Sequence, residues 1–275
     1  MSTDQLRLLV IGAHPDDCEV KAGGLATLYV QAGHVVRFVS ATNGATGHHE
    51  IGGIELALRR QQEAEAVARV SGVEYVVLDN HTGELEPSVA NRKELIRLIR
   101  EFAPDLVLTH RPWDYHPDHR YTGMLVQDAS YILTVPNMAP LTPHLQHMPV
   151  IMYLGDNFQK PLPLEPDVVI GIDAVMDAKL DMMHCHVSQM YEWLPYNRGE
   201  LDLVPEDEAG RRQYLSKWRT GYDADVAEKY RDRLVELYGE SIGGRIRHAE
   251  AFETCEYGRP LTDQTRQRLF PFIGT

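Results

Sequence analysis

Short apolar runs alternate with longer amphipathic stretches along the first two-thirds of the chain. Leu8-Leu9-Val10-Ile11, Val35 to Ala41, Tyr75 to Leu78 and Leu106-Val107-Leu108 are brief, rich in branched residues and bounded by glycine or polar positions, as buried strands are. Between them, Ala22 to Ala32, Leu56 to Ser71 and Asn91 to Phe102 carry apolar residues at helical spacing, the first ending at Gly33, a usual helix stop. A further helix is expected after His119 through about Leu133, then strands at Val150 to Leu154 and Val168 to Ile172, then a helix with Asp173 as N-cap running to about Met190. Strict alternation of strand and helix predicts an α/β fold: a Rossmann-like, open, mostly parallel sheet with right-handed crossovers and helices on both faces. From Glu206 onward the chain is charged and reads as helical, with Arg211 to Thr220 and Asp223 to Tyr238 as helices before a break at Gly243-Gly244. The expectation is one domain over residues 1–275, its core at about 5–190 and a helical C-terminal tail at about 191–275.

Two of the predicted strands end in chemistry. The first runs through Gly12 and Ala13 into His14-Pro15-Asp16-Asp17, and the fourth runs through Thr109 and His110 into Trp113-Asp114-Tyr115-His116-Pro117-Asp118-His119. In an open α/β sheet, ligands bind in the crevice beyond the carboxyl ends of the strands. Residues three apart on a helical turn share a face, so His14 with Asp17, and His116 with His119, can each address one point. Two imidazoles and a carboxylate with an open position describe a catalytic divalent metal site, most economically zinc, with iron(II) able to use the same set. A carboxylate beside the ligands, Asp16, can then take a proton from water, and a spare imidazole, His116, can stabilise an oxyanion or protonate a leaving group.

Composition narrows the partners. A net charge of −13 over 275 residues argues against nucleic-acid binding, which needs a basic face, and disfavours adhesion to anionic membranes. With 43% hydrophobic and 24% charged residues the chain has material for a substantial core. Its three cysteines, Cys18, Cys185 and Cys255, form no CxxC pair and point to a reducing compartment. Cys18 reads as a small residue packed behind the site. The stretch Met1 to Arg7 lacks the basic start and apolar run of a signal peptide, and no run is long enough to cross a bilayer, so a cytoplasmic location is expected. No G-x-G-x-x-G follows the first strand, which disfavours a dinucleotide site.

Ala13-His14-Pro15-Asp16-Asp17 together with His116-Pro117-Asp118-His119 resembles the two signature motifs of the PIG-L/LmbE-like de-N-acetylases. The resemblance implies a metal-dependent enzyme that removes acetyl groups from N-acetylglucosamine-type substrates, with His14, Asp17 and His119 as metal ligands and Asp16 as general base. It further implies His116 as oxyanion stabiliser or acid, Asp118 as the carboxylate orienting His116, and Arg60, in Arg60-Gln61-Gln62-Glu63, as a contact to substrate hydroxyls. His186-Val187-Ser188-Gln189 also resembles a family motif, without an assigned role. Two positions depart from the commoner pattern: Cys18 stands between the aspartates and Glu19, and Tyr115 lies one residue before His116, where some relatives place a tyrosine two before. Relatives of this kind are often homo-oligomers, so self-association is a further implication.

Around the motifs, the Gly-rich loop Asn43 to Gly53 suits a binding loop or lid, and its His48 and His49 read as exposed histidines, with substrate contact as the alternative. Asp79, at the end of the third strand, is placed to accept from a sugar hydroxyl or to cap a turn. The function expected is hydrolysis of an N-acetyl amide by water activated at the metal, giving acetate and a free amine, with a small N-acetylated sugar or glycoconjugate as partner. The alternatives are a single-metal hydrolase of another acyl amide or ester, a two-metal phosphoesterase, and a non-catalytic sugar- or metal-binding protein. Asp16 argues against the last, because holding a metal does not need a spare base.

Overall fold

The computed structural model describes residues 5 to 273; the reading of Met1 to Asp4 as part of a leaderless start lies outside them. Seven strands, β1 (Arg7–Gly12), β2 (Val35–Ser40), β3 (Glu74–Val77), β4 (Leu106–Thr109), β5 (Val150–Leu154), β6 (Val168–Gly171) and β7 (Ala249–Thr254), form one sheet among the described residues, in the order β3-β2-β1-β4-β5-β7-β6. β1 to β5 pair in parallel, whereas β7 runs antiparallel to both β5 and β6. The main helices are α1 (Asp17–Gln31), α2 (Gly53–Ser71), α3 (Val89–Phe102), α4 (Pro117–Ser130), α5 (Met176–His184), α6 (Leu194–Arg198), α7 (Glu208–Lys229) and α8 (Arg231–Tyr238).

Alternation along the pleat explains how both faces are filled. Leu8 and Val10 of β1 face Leu25 and Tyr29 of α1, Val67 of α2, Leu180 and Met182 of α5 and Leu215 of α7. Leu9 and Ile11 face the other way, into Ile96 and Ile99 of α3 and Leu125 and Val126 of α4. A strand covered on both faces reads as a continuous apolar run, which is why β1 and β4 were legible. Among the described residues no helix is long and apolar enough to cross a membrane.

Four details differ from the expectation. α1 begins at Asp17 rather than Ala22, and Ala22 (φ −142°, ψ 15°) kinks it, so the motif and the amphipathic stretch are two parts of one helix. Asp173 caps no helix; its carboxylate accepts from the backbone N–H groups of Arg247 and His248, and a wide turn over Ser188–Trp193 follows α5 in place of a continuous helix. Two helices stand where two were expected, but the break falls at Tyr230 rather than after Thr220, so α7 runs through to Lys229. The C-terminal segment is not wholly helical, because β7 inserts between β5 and β6. In Ala249-Glu250-Ala251-Phe252-Glu253-Thr254 the buried Glu250 stands on the same face as Phe252, which masks the period of a strand.

Candidate active site

β1 and β4 are neighbours, with Ile11 opposite Thr109. The chain leaves β1 toward β2 on one side, and β4 continues toward β5 on the other, so the two motifs meet at the point where strand order reverses. Gly12 is required there: a Cβ on it would stand 2.6 Å from Cβ of Asp17, so only glycine lets the first turn of α1 fold back over the strand end. His116 is the N-cap of α4, its Nδ1 accepting from the backbone N–H of Asp118 at 3.2 Å, with Pro117 in the first turn.

Three donor atoms converge. His14 Nδ1 and His119 Nε2 are 3.2 Å apart, His14 Nδ1 and Asp17 Oδ2 3.6 Å, and His119 Nε2 and Asp17 Oδ2 3.5 Å. A tetrahedral zinc with bonds near 2.0–2.1 Å has ligand atoms about 3.3–3.4 Å apart, so the triangle fits one ion with the fourth position open. The ring tautomers suit this use. His14 Nε2 lies 3.0 Å from Asp118 Oδ2 and His119 Nδ1 lies 3.0 Å from Asp114 Oδ1, so each carboxylate draws the proton to the far nitrogen and leaves a lone pair facing the centre. Burial alone would raise the Asp17 carboxyl, but His119, His110 and His14 outweigh it and hold it well below the usual range.

Asp118 lies closer to His14 than to the His116 with which the resemblance paired it. Its Oδ2 accepts from His14 and, at 2.7 Å, from the backbone N–H of Gly83, whereas His116 Nδ1 is 3.8 Å away. As N-cap, His116 turns Nδ1 to the backbone N–H of Asp118 rather than to its carboxylate.

Asp16 sits between the two halves of the site with φ 147°, a backbone conformation strained for a residue with a side chain. Burial pushes its carboxyl above the ordinary value, with Arg60 opposing and Asp17 adding to the rise. Arg60 is buried, donates to the Pro15 carbonyl and lies 3.4 Å from Asp16 Oδ1. The guanidinium is thus engaged by Pro15 and Asp16 beneath the glycine loop. A Cβ at Gly44 (φ +77°) would be 2.5 Å from Arg60 Cδ, so the loop's glycines let its backbone lie on the guanidinium.

The unexplained motif finds its role in the same layer. Ser188 donates from N and Oγ to Glu63, at 2.8 and 2.6 Å, and Gln189 donates to the Gly47 carbonyl at 2.9 Å. His186, fully buried, meets Glu19 at 2.9 Å. Burial would lower that imidazole, but Glu19 outweighs it and raises it. The wide turn thereby ties α1, α2 and the loop together behind Asp16.

Other sequence candidates fall around this centre. His48 and His49 are packed rather than exposed: His48 meets Glu192 at 2.9 Å and His49 stacks on Tyr196 at 4.0 Å between ring centroids. Asp79 accepts from Asn43 at 3.1 Å and stands outside the donor cluster. Cys18 is buried, its thiol pushed up by burial, and all three cysteines are free. Tyr115 is exposed, its ring 5.6 Å from that of His119.

Two residues escaped the sequence reading. His110 is buried, stacks on His119 at 4.1 Å, and places Nε2 3.1 Å from Asp17 Oδ2, so that Asp17, His110 and His119 form a second donor group overlapping the first. Its place directly after β4, beside Gly12, was the available signal. Asp114 backs His119, and its spacing of five from that histidine is not a helical one, so nothing local marked it.

An α/β sheet whose switch point gathers two imidazoles and a carboxylate, with a second carboxylate beside them, defines a class of Rossmann-like proteins with a candidate metal centre. Comparison with known proteins narrows the class. The family profile described as PIG-L, GlcNAc-PI de-N-acetylase, matches residues 9–130. A diacetylchitobiose deacetylase from Thermococcus kodakarensis is 34% identical over 212 residues, covering 71% of this chain and 76% of the relative. A 4-oxalmesaconate hydratase from Pseudomonas putida is 27% identical over 212 residues, covering 73% and 81%. The solved structure of N,N'-diacetylchitobiose deacetylase from Pyrococcus horikoshii has a TM-score of 0.71 at 25% identity, covering 92% of this chain and 85% of that one. The chain belongs to the PIG-L de-N-acetylase family.

Proposed function

We propose that this chain is a zinc-dependent N-deacetylase acting on an N-acetylglucosamine-type sugar or glycoconjugate. The observation that carries the reading is the triangle of His14 Nδ1, Asp17 Oδ2 and His119 Nε2, with the carboxylate of Asp16 next to it and not needed as a ligand. A divalent cation held by the triangle supplies Lewis acidity, acidifying water and polarising an amide carbonyl.

The protein's own groups do the rest. Asp16 accepts a proton from the attacking water and returns it to the departing nitrogen as the C–N bond breaks, giving acetate and a free amine. A carboxyl raised by burial is a stronger base than an ordinary aspartate, which suits taking the water's proton and holding it until the nitrogen departs. His116 acts as a neutral donor. Burial, then His14 and His119, lower its imidazole, and because Nδ1 accepts from the Asp118 N–H, the proton sits on Nε2, free to donate to the developing oxyanion. Proton return then falls to Asp16 rather than to His116.

The hydratase relative shows that family resemblance alone does not choose the reaction. The test is release of free amine from a panel of N-acetylated glucosamine mono- and disaccharides, with metal-stripped protein and with zinc or iron(II) added back. Metal-dependent amine release from any member, at one metal per chain, supports the assignment. A silent panel with one metal bound overturns the N-acetylglucosamine substrate, and binding of two metals favours phosphoester chemistry instead.

A further inference from the structure

We propose that a buried ion network from the C-terminal half, Lys179, Arg219, Asp223 and Glu250, positions the turn that carries Asp16 and Asp17. The proposal rests on the reading of His14, Asp17 and His119 as metal ligands.

The kink at Ala22 divides α1 into one turn, which carries the acidic motif, and a longer segment packed on the sheet. A break of this kind orphans the carbonyls before it and the N–H groups after it. Both sets are met by charged side chains of matching sign. Arg219, from α7, donates to the Val20 carbonyl, while Glu250, from β7, accepts from the N–H groups of Gly24 and Leu25, each at 2.8 Å. Cations suit the carbonyl end of a helical segment and anions the N–H end.

The two caps are joined. Asp223 Oδ1 lies 3.0 Å from Arg219 Nη2 and 3.1 Å from Lys179 Nζ, and Lys179 reaches Glu250 Oε1 at 2.8 Å. All four side chains are buried, and removing one partner from such a set leaves an uncompensated charge, so the set acts as a unit.

The link to the site is short. The N–H of Val20, whose carbonyl Arg219 holds, donates to the Asp16 carbonyl at 3.0 Å, so the network lies one peptide and one hydrogen bond from the strained residue proposed as base. Lys21, next along, is tied at 2.9 Å to the Gly155 carbonyl and at 3.2 Å to the Tyr222 hydroxyl of α7. The segment has no room to slide, because a Cβ on Gly24 would stand 2.5 Å from Ile172 Cγ2. Lys179, Arg219, Asp223 and Glu250, which belong to no motif, thus act as positioning residues for a site built elsewhere.

Cobalt(II) substitution tests this, because its visible spectrum reports coordination geometry independently of turnover. Arg219→Lys, too short to hold Val20 and Asp223 together, and Glu250→Gln are expected to weaken cobalt(II) binding about tenfold, the lower end for supporting residues, and to alter the spectrum. Leu234→Ala, in the separate cluster between β6, β7 and α8, serves as a control that lowers Tm and leaves both readouts unchanged. Wild-type affinity and spectrum in folded R219K and E250Q overturn the proposal, as does equal loss in L234A. Where R219K fails to fold, Tyr222→Phe, which frees Lys21 from one acceptor, is expected to move the spectrum in the same direction; an unchanged spectrum counts against the proposal. Failure of the wild type itself to bind cobalt(II) overturns the ligand reading, and the proposal with it.

Discussion

Replacing Asp118 separates two accounts of the site. The carboxylate is fully buried, and its Oδ2 accepts from His14 Nε2 at 3.0 Å and from Gly83 N at 2.7 Å. Asp118→Ala leaves two part-buried donors unpaired, and at the low end of about 1–3 kcal/mol for each a stability loss of about 2 kcal/mol is expected in the metal-free protein. It also frees the His14 proton to move to Nδ1, the atom that faces the centre, and metal binding is expected to weaken about 10–100-fold, or roughly 1.4–2.8 kcal/mol. Asp118→Asn is the finer probe. Its amide oxygen can keep both donors while its NH2 takes the place of Oδ1, which has no hydrogen-bond partner among the described residues, so only the charge is lost. That variant should melt near the wild type and bind zinc about tenfold more weakly. The assay is zinc titration against a chromophoric chelator, with thermal melts of the stripped proteins. If Asp118 instead oriented His116, both variants would keep wild-type zinc affinity and lose kcat alone, and that result would refute the reasoning.

Two further predictions follow from the same geometry. Asp16→Asn should abolish turnover while keeping the metal, and should stabilise the stripped protein: a carboxyl raised by burial costs stability above its folded pKa, so the gain should grow as pH rises and vanish as pH falls toward the ordinary aspartate value, as melts across pH would record. Arg60→Lys keeps the charge but loses the guanidinium whose Nη2 meets both the Pro15 carbonyl and Asp16 Oδ1, so kcat should fall with KM little changed; a rise in KM alone would favour the substrate-contact role.

The site was more legible than its support. His14, Asp17 and His119 were readable because each motif is local: a strand end, a proline and residues three apart, which one turn of helix brings to one side. Asp16 was readable by adjacency. The partner of Asp118 was not, since the carboxylate's choice between His116 and His14 depends on how α4 docks against the end of β1, 104 residues away in sequence. The burial of Arg60 was not legible either, because helical spacing does not reveal that a glycine loop lies over it. His48 and His49 looked exposed for the same reason, their partners Glu192 and Tyr196 being some 145 residues distant.

Local pattern settled the class of fold, the strands that end in chemistry and the residues that meet there, because strand and helix periods and tight spacings act over a few residues and leave their mark in order along the chain. The tautomers of His14 and His119, the burial that lifts Asp16, the insertion of β7 and the clamp on α1 came only with folding. Each depends on groups far apart in sequence meeting at hydrogen-bond distance, and neither composition nor period records such a meeting.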